Sequence, residues 1–260
     1  MRDDVDRSIA TTPRRVDVLG VPVDALTVEE LHQHLRRFID RDSRATVLHA
    51  NVHAINLACR HAWFAGVLRD ADLVFCDGEG VRLGARILGE RLPPRITYAD
   101  WTWQLATWCR STGTSLFLIG ALPGVAAEAA ARLVAHAPGL AIAGTHHGFF
   151  DKSHDSIATI GVIDVINRAK PDIVIVGFGM PVQEQWVHAH RHRIDAPVVL
   201  TGGAVFDYVS GRQRRAPMWM TRHGLEWLGR LVIEPGRLMG RYVGGNPLFL
   251  ARVLRQRLRR

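Results

Sequence analysis

The feature that most restricts this chain is an alternation. Through its first 210 residues, short apolar runs take turns with stretches of helical periodicity. The runs are Val16–Leu19, Thr46–His49, Leu73–Cys76, Ser115–Ile119, Leu140–Gly144, Ile173–Gly177 and Val198–Thr201. Between them the spacing predicts helices over Thr27–Ile39, Val52–Leu68, Gly80–Leu88, Trp101–Cys109, Val125–His136, Ile157–Arg168 and Val182–His192. Apolar strands separated by helices call for an α/β fold, a mostly parallel sheet with helices on both faces. No internal repeat is visible.

At 260 residues, the chain is long for one domain and short for two, which suggests one main unit with an attachment. A hydrophobic fraction of 47% against 22% charged residues excludes a disordered chain. The longest apolar run, Ile173 to Val182, is interrupted by two glycines and a proline and falls short of the ~18 residues of a membrane span. The mixed-charge N-terminus has no apolar core of a secretory signal. Cys59, Cys76 and Cys109 are odd in number and widely spaced, as for small buried hydrophobes in a reducing compartment. His188, His190 and His192 have poor metal-ligand spacing, with no acidic or thiol ligand nearby.

Charge is divided unevenly along the chain. Residues 212–260 hold 12 Arg and 2 Glu, net +10, which leaves −2 for the first 211 residues. Such a split points to an anionic partner. In this tail, arginines interleave with Trp219, Met220, Trp227, Leu231, Tyr242 and Phe249. Leu250, Leu254 and Leu258 follow a four-residue spacing, with Arg252, Arg255 and Arg259 beside them. A basic amphipathic helix of this kind suits either an anionic membrane surface or docking on the core. Nucleic acid is disfavoured, because the positive charge lies among large apolar residues and no reader motif is present.

In a parallel sheet, ligands sit beyond the carboxyl ends of the strands. Here those ends read His49-Ala50-Asn51, Cys76-Asp77-Gly78, Gly120 to Gly124, Gly144 to Gly148, Gly177 to Glu184 and Thr201-Gly202-Gly203. Several glycine turns on one edge suggest a nucleotide site. GALPGV after Ile119 is not GxGxxG, which disfavours a nicotinamide-dependent oxidoreductase, and GxxxxGK[ST] is absent. Asp70-Ala71-Asp72 imitates a cation-binding DxD but precedes its strand, at the end where ligands do not bind. Asp77 reads either as a general base or as the N-cap of the following helix.

The segments ADLVFCDGEGVRLGARILGERLPPRITYAD, LFLIGALPGVAAEAAARLVAHAPGLAIAGTHHGFF, IVIVGFGMPVQEQW and RAPMWMTRHGLEWLGRLVIEPGRLMGRYVGGNPLFL carry a resemblance. From about Val16 to Leu250 the chain resembles the WecG/TagA/CpsF family, glycosyltransferase family 26. The resemblance implies a Rossmann-like core over 16–211, after a flexible tail (1–15) and before a basic amphipathic helical appendage (212–260) that meets the membrane. It implies inverting transfer of a hexose or derivative (glucose, N-acetylmannosamine or its uronate) from a UDP-sugar to a polyprenyl-diphosphate-linked sugar. No metal or other cofactor is implied, and self-association is left open. The location implied is cytoplasmic, peripheral at the inner face of the bacterial plasma membrane.

Carried onto this sequence, the family's proposed base falls on Asp77, and pocket residues fall on Asn51, Arg95 and Gln183. Arg95 and Gln183 join Asp77 as catalytic candidates. Substrate-binding candidates are His49, Asn51, Thr97, Tyr98, Gly120, Gly124, Gly179, Glu184, Arg230, Arg237 and Arg241. The three arginines are expected to complete the site when the appendage docks. His49 stands where the family often has threonine, and Tyr98 where it often has glycine, so the sugar pocket is expected to be reshaped.

Overall fold

A computed structural model describes residues 12–213 and 239–259, with Met220, Leu228, Gly229, Leu231 and Gly236 between them. Eight strands form one sheet: β1 (Arg15–Val18), β2 (Val21–Asp24), β3 (Ala45–Ala50), β4 (Leu73–Cys76), β5 (Leu116–Gly120), β6 (Ile142–His146), β7 (Ile173–Gly177) and β8 (Val198–Thr201). Their spatial order is β1-β2-β4-β3-β8-β7-β5-β6. Only β1 and β2 are antiparallel; every other pair is parallel. The carboxyl ends of β3, β4, β5, β7 and β8 therefore share one edge.

The expected alternation of faces is present residue by residue. Val47, Leu73, Phe75, Leu118, Ile175 and Leu200 point to one side. There they meet α1 (Val28–Asp40), α5 (Tyr98–Thr112), α6 (Val125–His136) and α9 (Val205–Val209) through Leu35, Trp101, Leu133 and Phe206. Leu48, Val74 and Cys76 point to the other side, against α2 (Val52–Ala58), α3 (Ala62–Asp70), α4 (Glu79–Ile87) and α10 (Gly245–Leu258). Phe117, Ile119, Val174 and Val176 share that side with α7 (Ile157–Ala169) and α8 (Val182–His190). Both faces are covered, as continuous apolar strands require.

Two local readings are corrected. The first apolar run is half of a hairpin: β1 turns back through Leu19 (φ 57) and Gly20 (φ 81) into β2. Positive φ at both central residues is the two-residue turn whose twist matches the strands. The expected helix over Val52–Leu68 is two helices. A straight helix carrying Ala54, Ile55 and Ala58 inward would turn Phe64, Val67 and Leu68 off that face. A break at Cys59 to His61 lets both sets bury.

For the C-terminal helix, sequence left membrane contact and core docking open. Its buried face is Phe249 and Val253, packed on α2 and α4, while Leu254 and Leu258 are 52% and 88% exposed. Arg252 donates to Asn56 Oδ1 (2.7 Å), and Gln256 binds Asp17 Oδ1 (3.0 Å) and the Leu19 N–H (3.1 Å). Core docking thus applies to one face of this helix. The face with Arg255, Arg259, Leu254 and Leu258 stays outward.

Candidate active site

Along the shared strand edge lies a cavity of about 1550 Å³. It draws on residues that follow β3, β4, β5, β7 and β8, among them Asn51, Asp77, Ala121, Gly179 and Gly203, and on Asn246 and Phe249 of α10. A parallel sheet delivers these loops to one place for the same reason it delivers ligands there.

Asp77 stands one residue beyond β4. Its N–H donates to Ala50 O (2.9 Å), which continues the β3–β4 pairing and fixes where the side chain starts. Helix α4 begins at Glu79 with Gly78 as N-cap and no side-chain cap, so Asp77 is not the capping residue. Its carboxylate lies 3.8 Å (Oδ2) from His49 Nε2. His49 is 96% buried and packs against the rings of Phe75 and Tyr98. Its Nδ1 is 3.5 Å from Thr201 Oγ1.

Tyr98 is buried at the first turn of α5, and its hydroxyl has no hydrogen-bond partner although the ring lines the cavity. Burial, with the charges of Asp77 and Glu184 behind it, pushes the phenol well above its ordinary value. Thr97, the N-cap of α5, donates to Asp100 Oδ2 (3.0 Å). Asn51 caps α2 by accepting from Ala54 N (3.0 Å) and also lines the cavity. Arg95 lines it too, its Nε 3.4 Å from Glu79 Oε1; Glu79 is also held by Arg82 at 2.8 Å.

Seven of the residues singled out from sequence thus share the cavity: His49, Asn51, Asp77, Arg95, Thr97, Tyr98 and Gly179. Four others are placed differently. Gln183 is fully buried, one bond behind the lining. Its Oε1 accepts from the N–H groups of Gly179 (3.1 Å) and Gly203 (2.9 Å), and its Nε2 donates to Glu184 Oε1 (2.7 Å). Glu184 is equally buried, its Oε2 unpartnered, and desolvation raises its carboxyl to about 7. These two brace the turns after β7 and β8, where direct substrate contact had been expected.

Gly120 packs its backbone on Gly177: a Cβ there would lie 2.3 Å from Gly177 O. Gly124 is the N-cap of α6. Neither is in the lining. The expected phosphate cradle of glycine-turn N–H groups is also revised. Those of Gly179 and Gly203 are committed to Gln183, and those of Ala121 and Gly202 to the carbonyls of Gly177 and Val176. Arg230 and Arg237 lie outside the described residues, as does the side chain of Arg241.

The positive charge of the cavity wall comes from side chains. Arg82, Arg86 and Arg91 line the cavity with Arg95, and Lys152 enters from the β6–α7 connection. Lys152 Nζ sits 4.7 Å from the Phe150 ring and 4.8 Å from that of Phe178, and donates to Gly148 O and Phe150 O. Sequence reading missed all four. Arg82 and Arg86 sit four apart in GVRLGAR, a spacing that puts both on one helix face. Among the described residues, these five cations share the lining with the carboxylates of Asp77, Glu79, Glu90 and Asp207.

The sequence model of the glycosyl transferase WecG/TagA/CpsF family matches residues 16–260. The chain belongs to this family. Among relatives of this WecG/TagA/CpsF glycosyltransferase is an N-acetylglucosaminyldiphosphoundecaprenol N-acetyl-beta-D-mannosaminyltransferase of Staphylococcus aureus (strain NCTC 8325 / PS 47). It is 27% identical over 241 residues, 92% of each protein. A protein of the same name from Bacillus spizizenii (strain ATCC 23059 / NRRL B-14472 / W23) is 32% identical over 200 residues, 77% of this chain and 76% of the relative. The match spans the elements that build the cavity, from β1 to α10. Among the described residues of the glycosyltransferase, no group of three or more His, Cys, Asp or Glu is arranged to hold a metal ion. None of its described helices is long and apolar enough to cross a membrane.

Proposed function

We propose that this chain transfers a hexose or hexose derivative, with inversion and without a metal ion, from a UDP-sugar to a sugar carried on a polyprenyl diphosphate. The observation that carries the reading is Asp77: a carboxylate lining a cavity at the strand ends, free of the helix-capping role its position suggested. In a direct displacement, the acceptor oxygen forms a bond to the anomeric carbon as the bond to the diphosphate oxygen breaks. The electron pair leaves on UDP, and Asp77 takes the acceptor's hydroxyl proton. Such general-base assistance is worth about 10²–10⁴ in rate.

Arg95, with Arg82, Arg86 and Arg91 around it, supplies positive charge for the departing diphosphate. Gln183 and Glu184 hold the glycine turns against which the nucleotide lies. The names of the two relatives support an acceptor built on undecaprenyl diphosphate and an N-acetylmannosamine donor. Glucose and the uronate of N-acetylmannosamine remain in the donor set, because His49 and Tyr98 crowd the floor of the pocket.

A lipid-linked acceptor requires the cavity to work at a membrane. The outward face of α10, with Arg255, Arg257 and Arg259 beside Leu254 and Leu258, suits the anionic inner surface of a plasma membrane as a peripheral contact. The decisive experiment is a panel of UDP-sugars with a synthetic prenyl-diphosphate-sugar acceptor, with and without EDTA. Turnover unaffected by EDTA is expected. Strict dependence on Mg²⁺ or Mn²⁺ would overturn the metal-free mechanism.

A further inference from the structure

Resting on this reading of the reaction, we infer that the acceptor's polyprenyl chain leaves the cavity between α4 and α10, along Leu83 and the row Leu250, Leu254 and Leu258. Leu83 and Leu250 line the cavity. Leu254 and Leu258 lie outside its lining and stand exposed further along α10. At four-residue spacing the three leucines make one continuous ridge of the helix, about 12 Å long. Its inner end is in the site, and its outer end is in solvent beside Arg255 and Arg259.

The docking of α10 keeps this flank outward. Phe249 and Val253 lie against Gly84, and a Cβ built on Gly89 would be 3.4 Å from Arg257 Nη1. The two helices therefore run side by side in the same sense. Arg252 and Gln256 tie one flank of α10 to Asn56, Asp17 and Leu19. At about 100° per residue, the leucine ridge falls on the other flank.

The chemistry of the α4 wall matches such an acceptor. Arg82 and Arg86 bracket Leu83 in sequence, and all three line the cavity. Charge for a diphosphate and apolar surface for a hydrocarbon tail thus lie within about one helical turn. The cavity has a second exposed apolar pair, Leu122 and Phe149, in the connections after β5 and β6. That end holds the glycine turns against which the nucleotide lies in the reading above, so the chain is assigned to the opposite end. A helix serving only to touch a membrane would not need its leucine row to begin inside the cavity.

Two measurements on the full chain test the path. Farnesyl diphosphate carrying a photoreactive diazirine at its chain end is crosslinked to the protein, and the labelled peptides are identified by mass spectrometry. Label is expected on the segments holding Leu83 and Leu250 to Leu258. Label confined to the segments of Leu122 or Phe149 would overturn the assignment. The second measurement compares dimethylallyl, geranyl and farnesyl diphosphate-linked sugar acceptors without vesicles. Wild-type kcat/KM should rise by at least about tenfold from dimethylallyl to farnesyl, as apolar surface is buried. Leu254→Gln/Leu258→Gln should lose most of that rise, with thermal melting and UDP binding as controls for folding. An equal rise in variant and wild type, or no rise in wild type, would overturn the path. A wild type that transfers sugar to none of the acceptors would sink glycosyl transfer itself, and the crosslink alone would then decide the path by the same two outcomes.

Discussion

Phe249 fills the hollow above Gly84: a Cβ built on that glycine would lie 2.6 Å from Cζ of the Phe249 ring and 3.1 Å from Cε1. One residue of the C-terminal helix is thereby set against one residue of α4, the helix that also carries Glu79 and Arg82; Glu79 lies 2.8 Å from Arg82 Nη1 and 3.4 Å from Arg95 Nε. Phe249 also lines the cavity, so the docking of this helix bears on stability and on the site together.

Phe249→Ala is accordingly expected to cost about 3–5 kcal/mol in urea unfolding, the usual range for emptying a buried aromatic site. Gly84→Ala should destabilise by about 1–3 kcal/mol, although alanine is the better helix former, because the added methyl would meet the buried Phe249 ring and come within 3.4 Å of Val253 Cγ2. Pairing Gly84→Ala with Phe249→Leu should recover part of the loss. A Gly84→Ala protein more stable than wild type would show that the helix is not held where the structure puts it.

This docking changes how membrane contact should be probed. Removing the C-terminal region would uncover the apolar faces of α2 and α4, so loss of binding after truncation could reflect unfolding. Substitutions confined to the outward face avoid that. Arg255→Glu/Arg259→Glu is expected to leave the melting temperature within about 2 °C and to weaken sedimentation with anionic vesicles by at least about tenfold, since each basic residue near such a surface contributes about 1 kcal/mol. Binding of the wild type should fall as salt rises and be weak on neutral lipid. Equal binding of both proteins to anionic vesicles would remove this face as the contact.

Asp77→Asn should fold normally and lower kcat by at least about 10², because the amide has the shape of the carboxylate and cannot accept a proton. Donor KM should change little. Steady-state kinetics with the lipid-linked acceptor make the measurement. Activity within a few-fold of wild type would remove Asp77 as the base.

The sheet, its parallel sense and its two covered faces were legible because strand and helix periodicities differ and the central strands β4, β5, β7 and β8 are buried on both sides. The hairpin at Leu19-Gly20 was not, because its turn lacks the Asn-Gly or Asp-Gly that usually marks one. Sequence order put His49, Asn51 and Asp77 at strand ends, and the family resemblance singled out Arg95; the four line one cavity, Arg95 from the loop that precedes α5. Gln183 went astray for a different reason. A glutamine in the first turn of a helix can reach outward or back, and only the positions of the Gly179 and Gly203 N–H groups decide between them. Sequence left α10 between membrane contact and core docking because the four-residue spacing of Leu250, Leu254 and Leu258 is as regular as that of Phe249 and Val253; the fit of Phe249 against Gly84 of α4 goes with burial of the latter pair.

Glu184 offers a test of the brace that does not depend on catalysis. Desolvation raises its carboxyl from 4.5 to about 7 in the folded protein, against the lowering effect of the hydrogen bonds from Gln183 and from its own backbone. Between those two values the folded state keeps a proton that the unfolded chain has released. The stability this residue contributes is therefore fully present below about pH 4.5 and is lost as pH rises toward 7. At roughly 1.4 kcal/mol per unit, the loss across this window reaches at most about 3 kcal/mol. Glu184→Gln replaces the acid with a neutral group that can still accept from Gln183 Nε2. Relative to wild type, the variant should gain about 1–3 kcal/mol in urea-melt stability between pH 5 and pH 8. A stability difference that stays constant across that range would mean that the carboxyl is already ionised in the fold, and that it braces the two glycine turns as a charge.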